Sequence, residues 1–550
     1  MNMQLEDHLL LKSGIDQVIW KTYCSRSSDA LIKPLGRRSE MIKPVSISGS
    51  DLSLDDFLAV TRHNATVRIN ENAIEGIRKS REVVENLLSQ GRPMYGINTG
   101  FGKFADMAIP DDQIDLLQIN LIRADATGAG APFPREIVRG ILLLRANSVI
   151  KGFSGVRQEL PETMVRMLNK GVHPVIPEKG SVGASGDLCP LAHMVLPMIG
   201  EGEAEYLGQT IDGAKAMDLA GISLLKLKAK EGLALINGTP VMTSIAAHAI
   251  GTALTLQKSA DIVSALTFES LRGIIDVFDP RIHDARNQTG QKVVAANMRK
   301  LLEGSSRVTR QGELRMQDSY SLRCIAQIHG ASRMAVDYVK MVVEAELNAA
   351  TDNPLVFPDT GDVISGGNFH GQPIAIAMDT LSIALAELAN ISERRIAKLV
   401  DPALNHGLPA FLVKEGGINC GFMVPQYTAA ALVSENKILS HPASVDSIPT
   451  SAGQEDHVSM GTIGARKAAV IADHLSRVLG IEWMCAAQAI DLQPGLHLGK
   501  GTREAYMLLR EHVSFMEKDR AFYKDQETSS VLIREGSLVE RVGRKTSRLE

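Results

Sequence analysis

The sequence predicts a mainly α-helical protein, with a core of long bundled helices and a smaller N-terminal portion. Hydrophobic residues make up 44% of the 550 residues and aromatic residues only 4%. This balance, rich in alanine, leucine, isoleucine and valine, favours closely packed helices over a β-sandwich. Segments in which apolar residues recur with the helical period continue through most of the chain. Strand-like segments are few, and the two candidates are 204–206 and 363–365.

The helical segments begin after Leu52 and continue nearly to the C-terminus. They are predicted at 77–90, 112–124, 135–151, 159–170, 241–271, 336–350, 374–400, 427–439 and 464–489. The longest uncharged run, 232–257, holds too many polar residues for a membrane span. We therefore expect this run to be a loop that leads into a buried helix of the bundle.

The chain is predicted to have three parts. Residues 1–44 contain polar, linker-like stretches with little apolar content, and we expect an N-terminal extension that is partly disordered and not catalytic. Residues 45–240 are predicted to form an N-terminal domain. Residues 241–550 are predicted to form the central and C-terminal helical bundle.

Composition excludes several classes of partner. The net charge of −4 and the pI of about 6.4 give no electrostatic basis for binding nucleic acid or an anionic membrane. The cysteines are scattered, without the paired spacing of a zinc site, and this pattern favours reduced thiols in a soluble, cytoplasmic protein. They are Cys24, Cys189, Cys324, Cys420 and Cys485. We expect neither a metal nor a nucleotide.

The segment 180–187 reads Gly-Ser-Val-Gly-Ala-Ser-Gly-Asp and contains the parts of a self-made electrophile. Gly186 has no Cβ to hinder the approach of its amide nitrogen to the Ala184 carbonyl. Ring closure with loss of water gives an imidazolone, and loss of a second water from Ser185 leaves an exocyclic methylene. By itself Ala-Ser-Gly is typical of an ordinary turn. The glycines and prolines around it predict a long, shaped loop that runs into a helix at 191–199, for which Asp187 is a candidate cap.

The segment 180–193 fits the pattern Gly-Ser-x-Gly-Ala-Ser-Gly-Asp-Leu-x-Pro-Leu-Ala-His throughout. In this the chain resembles the histidine, phenylalanine and tyrosine ammonia-lyases and the related aminomutases, and is most similar to the histidine branch. The resemblance extends from Leu52 to beyond Gln488. It implies that Ala184, Ser185 and Gly186 form 4-methylidene-imidazol-5-one (MIO) autocatalytically. It also implies a homotetramer whose active sites are shared between subunits.

Elimination of ammonia from an amino acid needs an electrophile, a placed base and a clamp for the carboxylate. By the resemblance, Tyr95 in a glycine-rich loop is the base for the β-proton, although a tyrosine at a loop edge is equally typical of plain structure. Arg323 is the candidate clamp, because guanidinium matches a carboxylate bidentately. The alternative for this arginine is a surface ion pair. Asn237 is expected to hydrogen-bond the imidazolone oxygen, with an ordinary Asn-Gly turn as the alternative.

The resemblance supplies further residues of the site. Tyr320 is expected near the electrophile. The predicted substrate-binding shell also contains Gln317, Phe369, Glu435 and Gln454. The charged cluster 454–457 has two interpretations, a catalytic pairing or a network at the start of a helix that braces the site.

The chain departs from the histidine pattern at one pair of positions. Ala124 and Asp125 stand where histidine ammonia-lyases carry Ser-His, and this pair is the family's selectivity position. A carboxylate disfavours an unadorned phenyl ring, because an unpaired charge is costly to desolvate against hydrocarbon. It suits an imidazole N–H, an imidazolium or a ring hydroxyl. Pairing of Asp125 with Arg123 is the alternative role.

These observations predict an MIO-dependent ammonia-lyase for a polar aromatic amino acid, with L-histidine to urocanate as the first choice. Three alternatives stay open: a 2,3-aminomutase that yields a β-amino acid such as β-histidine, a lyase for another polar aromatic amino acid, and a non-catalytic helical scaffold. Lyase and aminomutase differ in how long ammonia and product stay trapped, which depends on loop closure.

Overall fold

The computed structural model describes residues 43–550, and most of these residues are helical. The helices are Leu54–His63, Glu71–Ser89, Ile114–Asp125, Arg135–Val149, Glu159–Lys170, Leu188–Val195, Gly213–Leu219, Glu231–Ile236, Pro240–Ser270, Pro280–Arg286, Thr289–Leu301, Tyr320–Arg323, Ile325–Glu346, Gln372–Val400, Met423–Leu439, Gly461–Asp491, Lys500–His512, Tyr523–Arg534 and Ser537–Gly543. Short 3₁₀ helices are Gly102–Phe104, Asp111–Gln113, Leu196–Ile199, Ile275–Phe278, Ala410–Leu412 and Ser451–Gly453. The predicted mainly α fold is confirmed. Except for its last two residues, the predicted extension 1–44 lies outside the described residues.

The strands are short. Val45–Ile47 pairs in parallel with Val67–Ile69, and Ala129–Pro132 pairs antiparallel with Pro177–Lys179. His173–Pro174, Glu203–Tyr206 and Gln209–Asp212 form a three-stranded antiparallel sheet, and Leu355–Phe357 forms a hairpin with Asp362–Ile364. Both strands that the sequence predicts are present to within one residue.

The chain divides into two compact units that are discontinuous in sequence. The first unit comprises the described part of Met1–His248 together with Met341–Ala377 and Ala443–Arg466. The second comprises Ala249–Lys340, Met378–Pro442 and Lys467–Glu550. The domain boundaries predicted from the sequence, 45–240 and 241–550, differ from this division and stay a prediction.

In the first unit, the helices Ile114–Asp125, Leu188–Val195 and Glu231–Ile236 pack against one another. The loop predicted at the start of the run 232–257 is therefore wrong, because its first residues form one of these helices. The buried helix predicted from residue 241 is present as Pro240–Ser270. The predicted helix at 191–199 is also interrupted: an α-helix ends at Val195 and a 3₁₀ helix continues to Ile199. Pro197 explains the change, because proline has no N–H to donate to the preceding turn.

The second unit is held by a buried polar cluster as well as by apolar packing. Glu482 is fully buried, and its carboxylate accepts from Arg395 at 2.5 and 2.9 Å. It also accepts from Thr267 at 2.7 Å and from Ser392 at 2.6 Å. Glu482 and its partners come from three different long helices, so one satisfied charge fixes how the three lie together.

One helix among those described, Gln372–Val400, is long and apolar enough to cross a membrane. In its most apolar window 72% of the residues are buried inside the protein. Such burial is typical of a core helix.

Candidate active site

The loop 180–187 is held in a backbone conformation that few residues adopt. Ser185 has a φ of 48° and Gly186 a φ of 79°, both in the left-handed region. A Cβ on Gly186 would lie 2.0 Å from the Gly238 carbonyl oxygen. Glycine is therefore required at position 186 by both the backbone angle and the space. A non-glycine residue such as Ser185 keeps a positive φ only where its surroundings enforce it.

Two segments enforce this conformation, and we call them the loop clamp: residues 237–242 and 459–462. The Gly238 N–H donates to the Ser185 carbonyl at 3.1 Å, and the Gly238 carbonyl accepts from the Asp187 N–H at 2.7 Å. On the other side, the Met460 N–H donates to the Val182 carbonyl at 2.9 Å. The loop is thus pinned by backbone bonds both before and after Gly186.

Asp187 completes the loop clamp with its side chain. Its carboxylate accepts from the N–H groups of Val241 and Met242 at 3.0 and 2.9 Å. It also accepts from the hydroxyls of Ser181, at 3.0 Å, and Thr462. The prediction that Asp187 caps the helix that follows it is therefore wrong, since the capped helix is Pro240–Ser270. Burial raises the pKa of Asp187 to about 6 despite these bonds.

The geometry favours the chemistry predicted for Ala184, Ser185 and Gly186. Ring closure joins the Gly186 nitrogen to the Ala184 carbonyl carbon, so the ring keeps the Ser185 carbonyl oxygen. That oxygen already accepts a hydrogen bond from the Gly238 N–H. An N–H donor at this place withdraws electrons from the ring, as an oxyanion-hole donor does. The residues present therefore fit an MIO group, and the hydrogen bond from Gly238 to Ser185 is a feature of the site that sequence reasoning missed.

Asn237 lies beside this donor in a buried network. Its carboxamide nitrogen donates to the Asn353 carbonyl at 3.0 Å and lies 3.4 Å from an oxygen of Asp352. Its own carbonyl accepts from Arg145 at 2.6 Å. Asp352 is bonded in turn to the buried Lys230 at 2.7 Å. The side-chain oxygen of Asn237 has no hydrogen-bond partner among the described residues. Because the side-chain nitrogen, the only donor of this side chain, is directed to Asn353 and Asp352, the predicted bond from Asn237 to the ring oxygen stays a prediction.

Tyr95 lies in a loop anchored by apolar residues on both sides. Met94 and Ile97 belong to a buried cluster with Val84, while Tyr95 itself is half-buried. The Tyr95 hydroxyl accepts from the Gly102 N–H at 3.2 Å. A hydrogen-bond donor to this oxygen is compatible with the role of base that is predicted for Tyr95.

Asp125 is the last residue of the helix Ile114–Asp125. The segment after it is tied to the helix that follows the loop, since the Gly128 N–H donates to His193 at 3.0 Å. Arg123, the alternative partner of Asp125, instead bonds Glu201 at 2.6 to 3.2 Å. The Asp125 carboxylate makes no hydrogen bond or ion pair with any residue in 43–550. Burial raises its pKa to about 6.

Three further predicted residues lie in the first unit. Phe369 is half-buried in a turn whose Gly366 N–H donates to the Asn353 side chain at 2.7 Å, so this turn joins the network around Asn237. Gln454 is exposed and ends a 3₁₀ turn, and its N–H donates to the Ser451 carbonyl at 3.2 Å. Ala124, also exposed, precedes Asp125 on the same helix.

The other predicted residues lie in the second unit. The Arg323 guanidinium lies 4.3 Å from the centre of the Tyr320 ring, and its Nε is buried without a partner in the described part of the chain. Gln317 is exposed. Glu435 is exposed, with an oxygen 3.7 Å from His474. Their place in one site with Ser185 stays a prediction.

Comparisons with known proteins show similarity over most of the chain. Residues 52–511 match the family model "Aromatic amino acid lyase". The chain is 61% identical over 503 residues to histidine ammonia-lyase 2 of Fusobacterium nucleatum, covering 91% of this chain and 98% of that protein. The histidine ammonia-lyase structure from Trypanosoma cruzi is similar with a TM-score of 0.85 at 42% identity, covering 91% of this chain and 95% of that one. A tyrosine aminomutase from Streptomyces globisporus is similar with a TM-score of 0.89 at 37% identity, covering 92% and 100%.

Proposed function

The chain belongs to the aromatic amino acid lyase family, and on this premise we propose that it is an ammonia-lyase that converts L-histidine to urocanate and ammonia. The observation that carries the proposal is the clamped loop, in which Gly238 donates to the Ser185 carbonyl while Gly186 fits only as glycine. A loop held this way favours reaction between neighbouring backbone groups, because the reacting atoms are already oriented.

We propose that the prosthetic group is MIO, formed from Ala184, Ser185 and Gly186. The Gly186 nitrogen bonds to the Ala184 carbonyl carbon and that oxygen leaves as water. Ser185 then loses its hydroxyl and its α-hydrogen as a second water. The group supplies an electrophilic methylidene carbon that proteinogenic side chains lack. Neither metal nor nucleotide enters this proposal, and in residues 43–550 no three His, Cys, Asp or Glu side chains are grouped to hold a metal.

The chain's own residues would bind and deprotonate the substrate. Arg323 would bind the carboxylate with its fork of N–H donors, and stacking on Tyr320 limits the orientations of that fork. Tyr95 would take the β-proton, with the Gly102 N–H stabilising the charge on its oxygen. Asn237 would hold the ring oxygen together with Gly238. The remaining contacts to substrate would come from Ala124, Gln317, Phe369, Glu435 and Gln454.

Asp125 supports a substrate with a polar ring. Its half-buried carboxylate has no partner in the part of the chain that is described, and such a charge is stabilised by a hydrogen-bond donor or a cation when a ligand displaces solvent. An imidazole N–H or an imidazolium provides one, whereas a phenyl ring does not. We further propose a cytoplasmic homotetramer, in keeping with the family resemblance.

Intact-mass measurement tests the prosthetic group. The mature chain is expected to be about 36 Da lighter than its sequence, the mass of two waters. Ser185→Ala, which has no hydroxyl to lose, is the matched control and is expected to lack the second water. An unmodified wild-type chain would refute both catalytic interpretations and leave the scaffold.

Incubation with each proteinogenic amino acid tests the substrate. Histidine is expected to yield a conjugated acid, detected by ultraviolet absorbance. Mass spectrometry of the same mixtures detects β-histidine, which would support the aminomutase alternative. If histidine gives neither product and another amino acid reacts, the histidine assignment is wrong while the lyase chemistry stands.

A further inference from the structure

The first unit contains a cavity of about 400 Å³ that none of the proposed catalytic residues lines. Its walls come from the turn 64–66, the start of the helix Arg135–Val149, the end of the helix Glu159–Lys170 and the hairpin turn 205–208. The ionisable side chains that line it are those of Arg135, Arg139, Lys170, His173 and Glu205.

Arg139 is the unusual residue of this cavity, because it is a buried cation without an acidic partner. It is 3% exposed, and no carboxylate of the described residues lies within ion-pair distance. Its guanidinium donates to the Val60 carbonyl at 2.9 and 3.0 Å and to the Leu168 carbonyl at 2.9 Å. Burial and the nearby Arg135 lower its pKa to about 10. A desolvated charge held only by neutral acceptors is stabilised when an anion approaches.

His173 adds a second donor to the same cavity. Arg139 has only donors, so the contact of its Nη1 with His173 Nε2 at 3.3 Å makes that ring nitrogen an acceptor. Burial lowers the pKa of His173 to about 4, so the ring is neutral and its proton lies on Nδ1. That nitrogen is buried, has no hydrogen-bond partner in residues 43–550, and is 3.5 Å from the nearest oxygen of Glu205.

The charges around the cavity do not cancel. Arg135, Arg139 and Lys170 are cationic, while Glu205 is the only lining carboxylate in the described residues and is already bonded twice to Arg135 at 2.8 and 3.0 Å. Two positive charges therefore remain without a counter-charge. We propose that this cavity binds a compact dianion, either a short dicarboxylate or a phosphate, through Arg139, His173 and Lys170.

Dicarboxylates and phosphates share the oxyanion chemistry that arginine and lysine recognise. A cavity of about 400 Å³ accommodates either one. Calorimetric titration of the whole protein with succinate and, separately, with inorganic phosphate distinguishes the two sources. Both titrations are run in a chloride buffer at constant ionic strength. Succinamide, a neutral analogue of succinate, is the ligand control. Saturable binding of at least one dianion, and none of succinamide, is expected.

Variants at the cavity distinguish binding at this specific site from nonspecific attraction of anions to the protein surface. Lys170 is exposed, so Lys170→Gln is expected to fold and to bind the dianion roughly tenfold more weakly, the effect of one lost charged contact. Lys170→Glu should abolish binding. Glu205→Gln should strengthen binding, because it removes the negative charge at the wall. Lys215→Gln, at an exposed lysine that does not line the cavity, should leave the affinity unchanged.

The proposal is overturned if neither dianion binds saturably, if succinamide binds as well as succinate, or if Lys170→Gln and Lys215→Gln weaken binding equally. Glu205→Gln is predicted to raise the affinity and Lys170→Gln to lower it. A general loss of stability in the variants cannot produce both of these changes. Density for the dianion between Arg139 and Lys170 in a soaked crystal would support the proposal independently.

Discussion

Asp187 and Asp125 are both carboxylates of the first unit whose pKa burial raises to about 6, yet their surroundings are opposite. Asp187 accepts four hydrogen bonds, two of them from the start of the helix Pro240–Ser270. Asp125 accepts none from the described residues. The same direction of pKa shift therefore arises in a fully buried carboxylate that protein donors satisfy and in a half-buried carboxylate that has no protein partner.

The difference teaches which carboxylate serves the fold and which is available to a ligand. Four donors around Asp187 leave little of its hydrogen-bonding capacity for a substrate, so its role is to hold the loop 180–187. The half-buried Asp125 accepts no hydrogen bond from the described residues, so its oxygens are available to a substrate donor. A buried carboxylate that protein donors satisfy is costly to alter in the free protein, whereas a half-buried one without a protein partner can exchange solvent for a donor of the ligand.

The largest expected effect lies in the clamped region, at Gly186→Ala. The new Cβ would lie 2.0 Å from the Gly238 carbonyl oxygen, and the φ of 79° disfavours alanine. Displacement of the loop should prevent ring closure, so we expect an unmodified intact mass. We also expect ammonia release to fall by at least about 1,000-fold, since the electrophile is absent. Gly543→Ala is the control, because its Cβ meets nothing within 4 Å. A Gly186→Ala chain that still loses two waters would contradict the need for the close contact.

The next effect concerns stability at Asp187→Asn. The substitution keeps the shape but turns one acceptor into an NH₂ that faces donors, for example the Val241 and Met242 N–H groups. We expect the free energy of unfolding to fall by about 2–4 kcal/mol, measured by urea denaturation. Asp218→Asn, at an exposed aspartate, should change it by less than about 0.5 kcal/mol. Equal effects of the two substitutions would show that the bonds to Asp187 do not support the fold.

Sequence reasoning predicted only part of the region around Asp187, namely the part that depends on neighbouring residues in the chain. The motif around Ala184, Ser185 and Gly186 is contiguous, and helical periodicity is a local signal. The partners of Asp187 are not local: Val241 and Thr462 follow it by 54 and 275 residues. An acid before an apolar run predicts a cap on that run, and no sequence signal points to a helix that begins so much later.

For Asp125, the sequence showed a departure from the family pattern but did not predict which residues surround the carboxylate. The sequence left open a pairing with Arg123, two positions away. The structure pairs Arg123 with Glu201, 78 residues on, and this contact frees Asp125. Similarly, the hydrogen bond from the Gly238 N–H to the Ser185 carbonyl requires the two backbone segments to lie close together. A glycine in the sequence permits such a close approach but does not predict it. Long-range pairing of charges and backbone groups is decided by the assembled fold, so single-sequence patterns do not contain it.

A smaller effect is expected for catalysis by Asp125→Asn. If Asp125 pairs with the substrate ring, loss of its charge should lower kcat/KM for histidine about tenfold, mostly through KM, because a ground-state contact is removed. Steady-state kinetics measures this. Arg123→Gln, which breaks the ion pair with Glu201 instead, should leave KM nearly unchanged. Equal changes in KM for the two variants would mean that Asp125 affects KM through the general surface charge and not through contact with the substrate.

The smallest effect is on the pH dependence of stability in the free protein. An aspartate with a folded pKa near 6 and an ordinary unfolded pKa near 4 binds more protons when folded, so its contribution lowers stability as pH rises from about 4 to about 6. Asp125→Asn removes this contribution. We therefore expect the variant to equal wild type near pH 4 and to exceed it by about 1 kcal/mol above pH 6, a value reduced by partial exposure of the group. Urea denaturation without substrate, between pH 4 and 8, measures the difference. A constant difference across that range, or a variant less stable at pH 7, would mean that Asp125 is satisfied in the free protein. The contrast with Asp187 would then fail.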